Sequence, residues 1–280
     1  MTIPAANTVV AAVQMTSGDD LRANLTTARM QLELAAARGS RLVVLPENFA
    51  FMAADDAARS RIAEADGRGP IQDYLARAAR ELRIWIVGGT LPIASPDRER
   101  PFAACCVWND MGERVARYDK IHLFDVQVPG SVEAYRESRR TTPGDAPLTL
   151  ATPFGEMGVA VCYDLRFPEL FRVMMARAVS FMALPAAFTV RTGQAHWHTL
   201  LRARAIENLC YVIAAAQSGE HPGGRRTYGH SLVVGPWGEI LAEAPPGPGV
   251  VTAALDAAYL ERLRSQFPAL GHRRLASGAA

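Results

Sequence analysis

Two hydrophobic periods alternate along the first third of this chain. Thr8 to Gln14 is a nearly unbroken apolar run of strand length, and after Ser17-Gly18-Asp19 the residues Leu21, Leu25, Ala28, Leu32 and Ala35 recur at helical spacing until Gly39 closes the pattern. Arg41 to Pro46 reads as a second strand, apolar on both faces, as in a sheet covered on both sides, and it delivers Glu47 at its end. Ile71, Leu75, Ala78 and Leu82 mark another helix, and Ile84 to Gly88 the strand after it. This alternation is the α/β pattern.

The period then changes. Phe102 to Trp108 and Arg114 to Tyr118 flank Asn109-Asp110-Met111-Gly112, a turn sequence that predicts an antiparallel hairpin whose second strand leads to Lys120. Ile121 to Pro147 has little periodicity and reads as a long loop carrying Glu133 and Glu137. Gly158 to Val161 is a β run ending on Cys162. Pro168 suits a first helical turn, and Leu170, Val173, Met174 and Arg177 follow at helical spacing. Ser180 to Phe188 predicts a strand, His196 to Leu209 a helix, Tyr211 to Gln217 a strand, Gly235-Pro236-Trp237-Gly238 a turn between strands, and Tyr259 to Arg264 a last helix. A strand, a helix and a strand ending in Leu-Pro occur at Val9 to Pro46 and again at Val159 to Pro185, a faint internal echo.

Composition narrows the classes. The 280 residues carry 30 basic and 28 acidic side chains, a net charge of +2, and 49% hydrophobic residues, which gives no sign of a nucleic-acid surface or a disordered chain. Cys105, Cys106, Cys162 and Cys210 form no C-x-x-C pair and read as reduced thiols. Met1 to Val10 lacks a basic segment followed by a long apolar one, and no apolar run approaches the roughly 18 residues of a membrane span. The expectation is a cytoplasmic protein without membrane or nucleic-acid partners.

Glu47, Lys120 and Cys162 each end a strand, on the edge where open α/β sheets place ligands. A thiol nucleophile needs a base, a cation or N–H group for the developing oxyanion, and an acid for the leaving group, and these three can divide those duties. Backbone dipoles and free N–H groups at a strand-to-helix turn are expected to lower the Cys162 pKa. Set against this, free cysteines are most often packing residues, and a lone glutamate or lysine is usually solvated. Cys105, Cys106 and Cys210 are read as packing residues, and Glu133 competes with Glu137 as a supporting carboxylate. His196-Trp197-His198 places its imidazoles at i and i+2, a poor metal pair. Gly223-Gly224-Arg225-Arg226 reads as a mobile surface loop.

Leu45-Pro46-Glu47-Asn48-Phe49, Tyr118-Asp119-Lys120-Ile121-His122-Leu123-Phe124-Asp125 and Val161-Cys162-Tyr163-Asp164-Leu165-Arg166-Phe167-Pro168-Glu169 resemble, in order, the three signature segments of the nitrilase, or carbon–nitrogen hydrolase, superfamily. The resemblance continues through Ala195-His196-Trp197, Arg202 to Asn208, Tyr228-Gly229-His230-Ser231 and Pro236-Trp237-Gly238. It implies a four-layer α-β-β-α sandwich, one domain over residues 1–280, hydrolysing a non-peptide C–N bond without metal or cofactor. Glu47 would be the base, Cys162 the nucleophile, and Lys120 with the Tyr163 N–H the oxyanion donors, while Glu137 would orient Lys120 and the substrate amide.

Within the superfamily, Cys-Tyr-Asp-Leu-Arg-Phe-Pro-Glu and Arg-Ala-Arg-Ala-Ile-Glu are most similar to the small Nit-type amidases of α-keto acid amides. The implied substrate is deaminated glutathione, cleaved through a thioester with release of ammonia; α-ketoglutaramate or α-ketosuccinamate is the alternative. Arg166 or Arg191 would bind the substrate carboxylate, with Tyr163 and Thr192 lining the site. The resemblance also implies a homodimer or higher homo-oligomer, built partly on the helix after Cys162 through Phe171, Met174, Met175 and Val179. The tail 271–280 is read as flexible or part of that interface. Two other classes stand beside this one: an interaction module that keeps the fold, and a thiol redox protein, for which Cys162 lacks a nearby resolving cysteine.

Overall fold

The computed structural model describes residues 7–55, 57–130 and 133–275. Chain order begins with Thr8–Gln14 (β1), Leu21–Ala37 (α1), Leu42–Val44 (β2), Ala58–Arg61 (α2), Pro70–Leu82 (α3), Trp85–Val87 (β3), Leu91–Ile93 (β4), Phe102–Trp108 (β5) and Arg114–Asp119 (β6). These strands and a late one, Gly249–Leu255 (β17), form one sheet in the order β17-β1-β2-β3-β5-β4, with β6 paired to β5. Its centre is parallel: β1 pairs with β2 and β2 with β3 in that sense, whereas β17 and β5 close it antiparallel.

A small hairpin, Asp125–Gln127 (β7) and Ala134–Arg136 (β8), lies within the long loop. The second sheet follows, built from Leu148–Thr152 (β9), Gly155–Val159 (β10), Phe181–Ala186 (β11), Tyr211–Ala216 (β12), Leu232–Val234 (β15) and Ile240–Glu243 (β16) in the order β16-β15-β12-β11-β10-β9. Pro168–Met174 (α4) joins β10 to β11, Val190–Asn208 (α5) joins β11 to β12, and a two-stranded ribbon, Ser218–Glu220 (β13) with Arg226–Tyr228 (β14), follows β12. Ala257–Gln266 (α6) comes last.

Side-chain alternation accounts for the layers. Val10 and Ala12 of β1, and Leu42 and Val44 of β2, face the core between the sheets, whereas Ala11, Val13, Val43 and Leu45 face a second core under α1 and α3. Residues of β10, β11 and β12 complete the inter-sheet core, and Phe171 of α4 and Leu201 of α5 cover the other face of their sheet. The result is helix, sheet, sheet, helix, as expected. The sheets join where β1 and β12 end: Ser218 N–H donates to Met15 O at 2.8 Å, and Met15 bridges Gln217 in parallel.

The two stretches that echo one another in sequence fold alike. Each is a strand, a helix and an adjacent parallel strand, β1-α1-β2 in one sheet and β10-α4-β11 in the other. Other details depart from expectation. α5 begins at Val190 rather than His196, because Thr189 caps it by accepting from the Thr192 N–H. The long loop is less irregular than its composition implies, and β4, β9, β13, β14 and β17 have no clear apolar period.

The interface residues expected on the helix after Cys162 need correction. Phe171, Met174, Met175 and Val179 are buried within the chain itself, against its own second sheet, so they offer no free surface. The large apolar side chains left exposed nearby are Val173, Ile206, Trp237 and Phe267, the last two in edge contact at 5.4 Å. Of the tail 271–280, residues 276–280 lie outside the described residues. No helix among the described residues is long and apolar enough to cross a membrane.

Candidate active site

Three strand ends converge where the two sheets meet. β2 runs through Pro46 to Glu47, whose Oε1 accepts from Lys120 Nζ at 2.8 Å. Lys120 follows β6 directly and also donates to Glu137 Oε1 and Oε2, at 3.1 and 2.9 Å. Glu137 is fixed in turn, because its Oε2 accepts the Phe124 N–H at 2.7 Å. Glu133, the competing carboxylate, is exposed and accepts from Tyr135 Oη instead.

Cys162 opens a 3₁₀ turn, Cys162–Arg166, at the end of the strand path, with φ of 50°. A non-glycine residue in the left-handed region carries strain that its surroundings must hold. Asp164 supplies that hold. Its buried carboxylate accepts the Val161 N–H at 2.8 Å, Tyr118 Oη at 2.7 Å and the His122 N–H at 3.0 Å, and its Oδ1 lies 2.7 Å from His122 Nδ1. Tyr118 and His122 flank Lys120 by two residues on either side, so one carboxylate ties the thiol's turn to the lysine's strand end. Nothing in the local hydrophobic pattern singles out Asp164; its signal is an acidic residue three after the strand end, placed to cap a turn.

Electrostatics set the protonation states. Burial pushes the Glu47 carboxyl up, but the Lys120 charge and hydrogen bond, with help from Cys162 and Arg225, outweigh it and hold it below the ordinary value. Burial works against the Lys120 ammonium as well, and Glu137 and Glu47 more than offset it, so its pKa is raised. The thiol moves against expectation. Burial, then the Glu47 charge, push Cys162 well above the ordinary thiol value; Lys120 and the Ala187 N–H, which donates to Sγ at 3.5 Å, pull the other way and lose. The site therefore rests as carboxylate, ammonium and neutral thiol. This is an arrangement in which a base can take the thiol proton during attack.

A cleft opens above these groups. Glu47, Lys120, Cys162, Glu137, Tyr163, Arg166 and Thr192 all line it; Arg191 does not, and is exposed beside Gly130. Arg166 lies over the Tyr163 and Phe188 rings at 5.9 and 5.5 Å, with Nη1 3.2 Å from His196 Nδ1. Thr192 Oγ1 lies 2.9 Å from Thr189 Oγ1. Arg225, read from sequence as part of a mobile surface loop, also lines the cleft, as do Arg59, Arg136 and Arg140. Five arginines thus share a pocket whose acidic side chains among the described residues, Glu47 and Glu137, are engaged by Lys120, so its charge favours an anion.

Cys105, Cys106 and Cys210 are buried, and burial raises each thiol; none lines the cleft. His196 and His198 face different partners, as their spacing predicts. His198 Nε2 and His230 Nδ1 both reach Glu243 Oε1, at 2.9 and 2.6 Å, stitching α5 to the β15–β16 hairpin outside the cleft.

A glutamate, a lysine and a cysteine thus meet at the shared edge of two sheets in an α-β-β-α sandwich, and the carbon–nitrogen hydrolase family model matches residues 9–265. The chain belongs to that family. It is 40% identical to the deaminated glutathione amidase of Yersinia enterocolitica, over 97% of this chain and 94% of that protein. Among solved structures it is similar to Saccharomyces cerevisiae Nit3, a member of branch 10 of the nitrilase superfamily, with TM-score 0.87 and 32% identity over 98% and 99% of the two chains. It is also similar to a variant of the amidase from Nesterenkonia sp. AN1 bearing acrylamide added to its active-site cysteine, with TM-score 0.77 and 28% identity over 93% and 98%.

Proposed function

We propose that this chain is a cysteine amidase that hydrolyses the ω-amide of a small α-keto acid, with deaminated glutathione as its substrate. The observation that carries the reading is the Lys120 ammonium held between Glu47 and Glu137 beside a buried thiol, in a cleft lined by five arginines. The names of relatives at about this distance support the substrate.

In this reading Glu47 takes the Cys162 proton as Sγ attacks the amide carbon. Charge moves onto the carbonyl oxygen, which Lys120 Nζ and the Tyr163 N–H receive. Protonated Glu47 then gives its proton to the departing nitrogen, the C–N bond breaks, and a thioester remains. A water deprotonated by Glu47 attacks the thioester, and the thiol leaves with the proton restored. Glu137 holds Lys120 in place, and Arg166 with Thr192 receives the keto-acid carboxylate. The leaving group depends on the amide. A primary amide such as α-ketoglutaramate releases ammonia, whereas the γ-amide of deaminated glutathione releases the amine of cysteinylglycine, so ammonia is not the product to follow there.

One catalytic domain over residues 1–280, a reducing cytoplasmic setting and a homodimer complete the proposal. Four free cysteines support the setting, and exposed Val173, Ile206, Trp237 and Phe267 offer apolar surface for a second copy. Sedimentation at micromolar concentration tests the dimer; a monomer alone removes it.

The deciding experiment follows the keto-acid product, 2-oxoglutarate from deaminated glutathione and from α-ketoglutaramate and oxaloacetate from α-ketosuccinamate, each with Cys162→Ala as control. Turnover of deaminated glutathione that vanishes in Cys162→Ala supports the reading. Preference for the primary amides would move the substrate to the alternative, and no hydrolysis of any would favour an interaction module.

A further inference from the structure

Arg225 reaches the cleft from the turn between β13 and β14, and that turn is firmly built. The His221 N–H donates to Arg225 O at 2.8 Å, and the His221 ring meets Ser17 O at 2.8 Å and Thr227 Oγ1 at 2.7 Å. Gly223, at φ 78°, passes so near Ala54 that an added Cβ would lie 2.8 Å from the alanine's own. The guanidinium donates from Nη2 to Ala187 O at 3.3 Å and lies 5.4 Å from the centre of the Tyr135 ring. Its Nε–H is buried with no hydrogen-bond partner, and no carboxylate among the described residues forms an ion pair with it. A buried donor left unpaired is costly, so an acceptor arriving with a ligand would relieve it.

We infer that Arg225 is an anion subsite for a second substrate carboxylate, so that the cleft accepts doubly anionic amides. Its place is beside the thiol and apart from Arg166: its Nη2 donates to Ala187 O, and the Ala187 N–H donates to Cys162 Sγ at 3.5 Å. Arg166 stands elsewhere in the cleft, between Tyr163, Phe188 and His196. Two guanidiniums on different elements, neither in an ion pair with a carboxylate among the described residues, call for two carboxylates. Deaminated glutathione carries two, one on the keto acid and one on the terminal glycine, whereas α-ketoglutaramate carries only the first. The inference rests on the amidase reading above, and it assigns a residue to the discrimination between these substrates.

The test compares deaminated glutathione with its glycine-amidated analogue, which keeps the scissile bond and loses the distal charge. Calorimetry in a Cys162→Ala background is expected to show the dianion binding about 10- to 100-fold tighter than the analogue, the range for a charged hydrogen bond. Arg225→Ala in that background should collapse the difference, and Arg225→Lys should restore part of it. In the active enzyme, Arg225→Ala should raise KM for the dianion at least tenfold more than for the analogue. Equal affinities for the two ligands with Arg225 intact, absence of binding included, overturn the subsite, as do equal losses for both ligands in Arg225→Ala. An enzyme that discriminates in binding yet turns over neither amide would instead overturn the amidase reading.

Discussion

Lys120 Nζ and Glu47 Oε1 stand 2.8 Å apart across 73 residues of chain, both side chains almost wholly buried. The bond joins the ends of β6 and β2, two strands that are not neighbours in their sheet. Glu137 comes to the same ammonium from the loop beyond β8.

Lys120→Ala leaves the buried Glu47 carboxylate and the half-buried Glu137 carboxylate facing each other without the ammonium between them. Removing one partner of a buried pair costs about 3–5 kcal/mol, so thermal unfolding should move down measurably. Loss of an oxyanion donor should also lower kcat about 100- to 1000-fold, with a smaller effect on KM, because that charge appears only after attack begins. Lys120→Arg should rescue poorly, since a planar guanidinium does not fit where a compact ammonium serves two carboxylates. Steady-state kinetics with near-normal kcat in Lys120→Ala would reduce Lys120 to a structural residue.

Activity should be flat across neutral pH. Glu47 is held below its ordinary value of 4.5 and Cys162 well above its ordinary 9.0, while Lys120 stays protonated. The acid limb of kcat/KM should therefore fall below pH 4.5 and no limb should appear near the ordinary thiol value. A stability term follows the same sign: because the folded Glu47 carboxyl is depressed, its contribution is present above the unfolded value and is lost as pH falls through the folded one. A rate limb between pH 6 and pH 9 tracking thiol ionisation would contradict the neutral-thiol resting state.

Asp164→Ala should loosen both the turn of Cys162 and the strand end of Lys120. The Val161 N–H and Tyr118 Oη lose their acceptor in a buried place, and the expected destabilisation is at least about 2 kcal/mol. Urea unfolding measures it, and kcat should fall more than KM rises. An unchanged midpoint with full kcat would remove Asp164 from the positioning of both groups.

Gly89→Ala should act on Glu47 from a distance. Gly89 has φ of 56°, and an added Cβ would stand 2.1 Å from Pro46 O, one residue before the glutamate. The backbone carrying Glu47 must shift, which predicts a loss of kcat larger than any change in overall fold seen by circular dichroism. Wild-type kcat in a folded variant would show that the site tolerates the shift.

Sequence made the α/β order and the three strand-end residues legible because strand period and turn chemistry are local properties. What it missed depends on contacts distant in the chain. Arg225 sits in a Gly-Gly-Arg-Arg stretch that looks unstructured until His221 meets Ser17 and Gly223 meets Ala54. The thiol of Cys162 was expected to be acidic from its turn alone, yet burial and the charge of Glu47, brought by another sheet, decide its pKa. Phe171, Met174, Met175 and Val179 read as a free apolar face because periodicity cannot say whether a helix spends that face on its own sheet. α5 hid its first turn behind Arg191-Thr192-Gly193-Gln194, polar residues that a Thr189 cap nonetheless holds in helix.

The groups beside the thiol come from both halves of the sandwich: Glu47 and Lys120 from the β1-containing sheet, Cys162 and Ala187 from the other. Each sheet can keep every hydrogen bond of its own ladder while the two slide by a fraction of an ångström, and catalysis would notice before any spectroscopic measure of strand content. Turnover thus works as a gauge of how the halves are seated. In graded urea, activity should decline ahead of the far-ultraviolet signal, the seam yielding before the layers it joins.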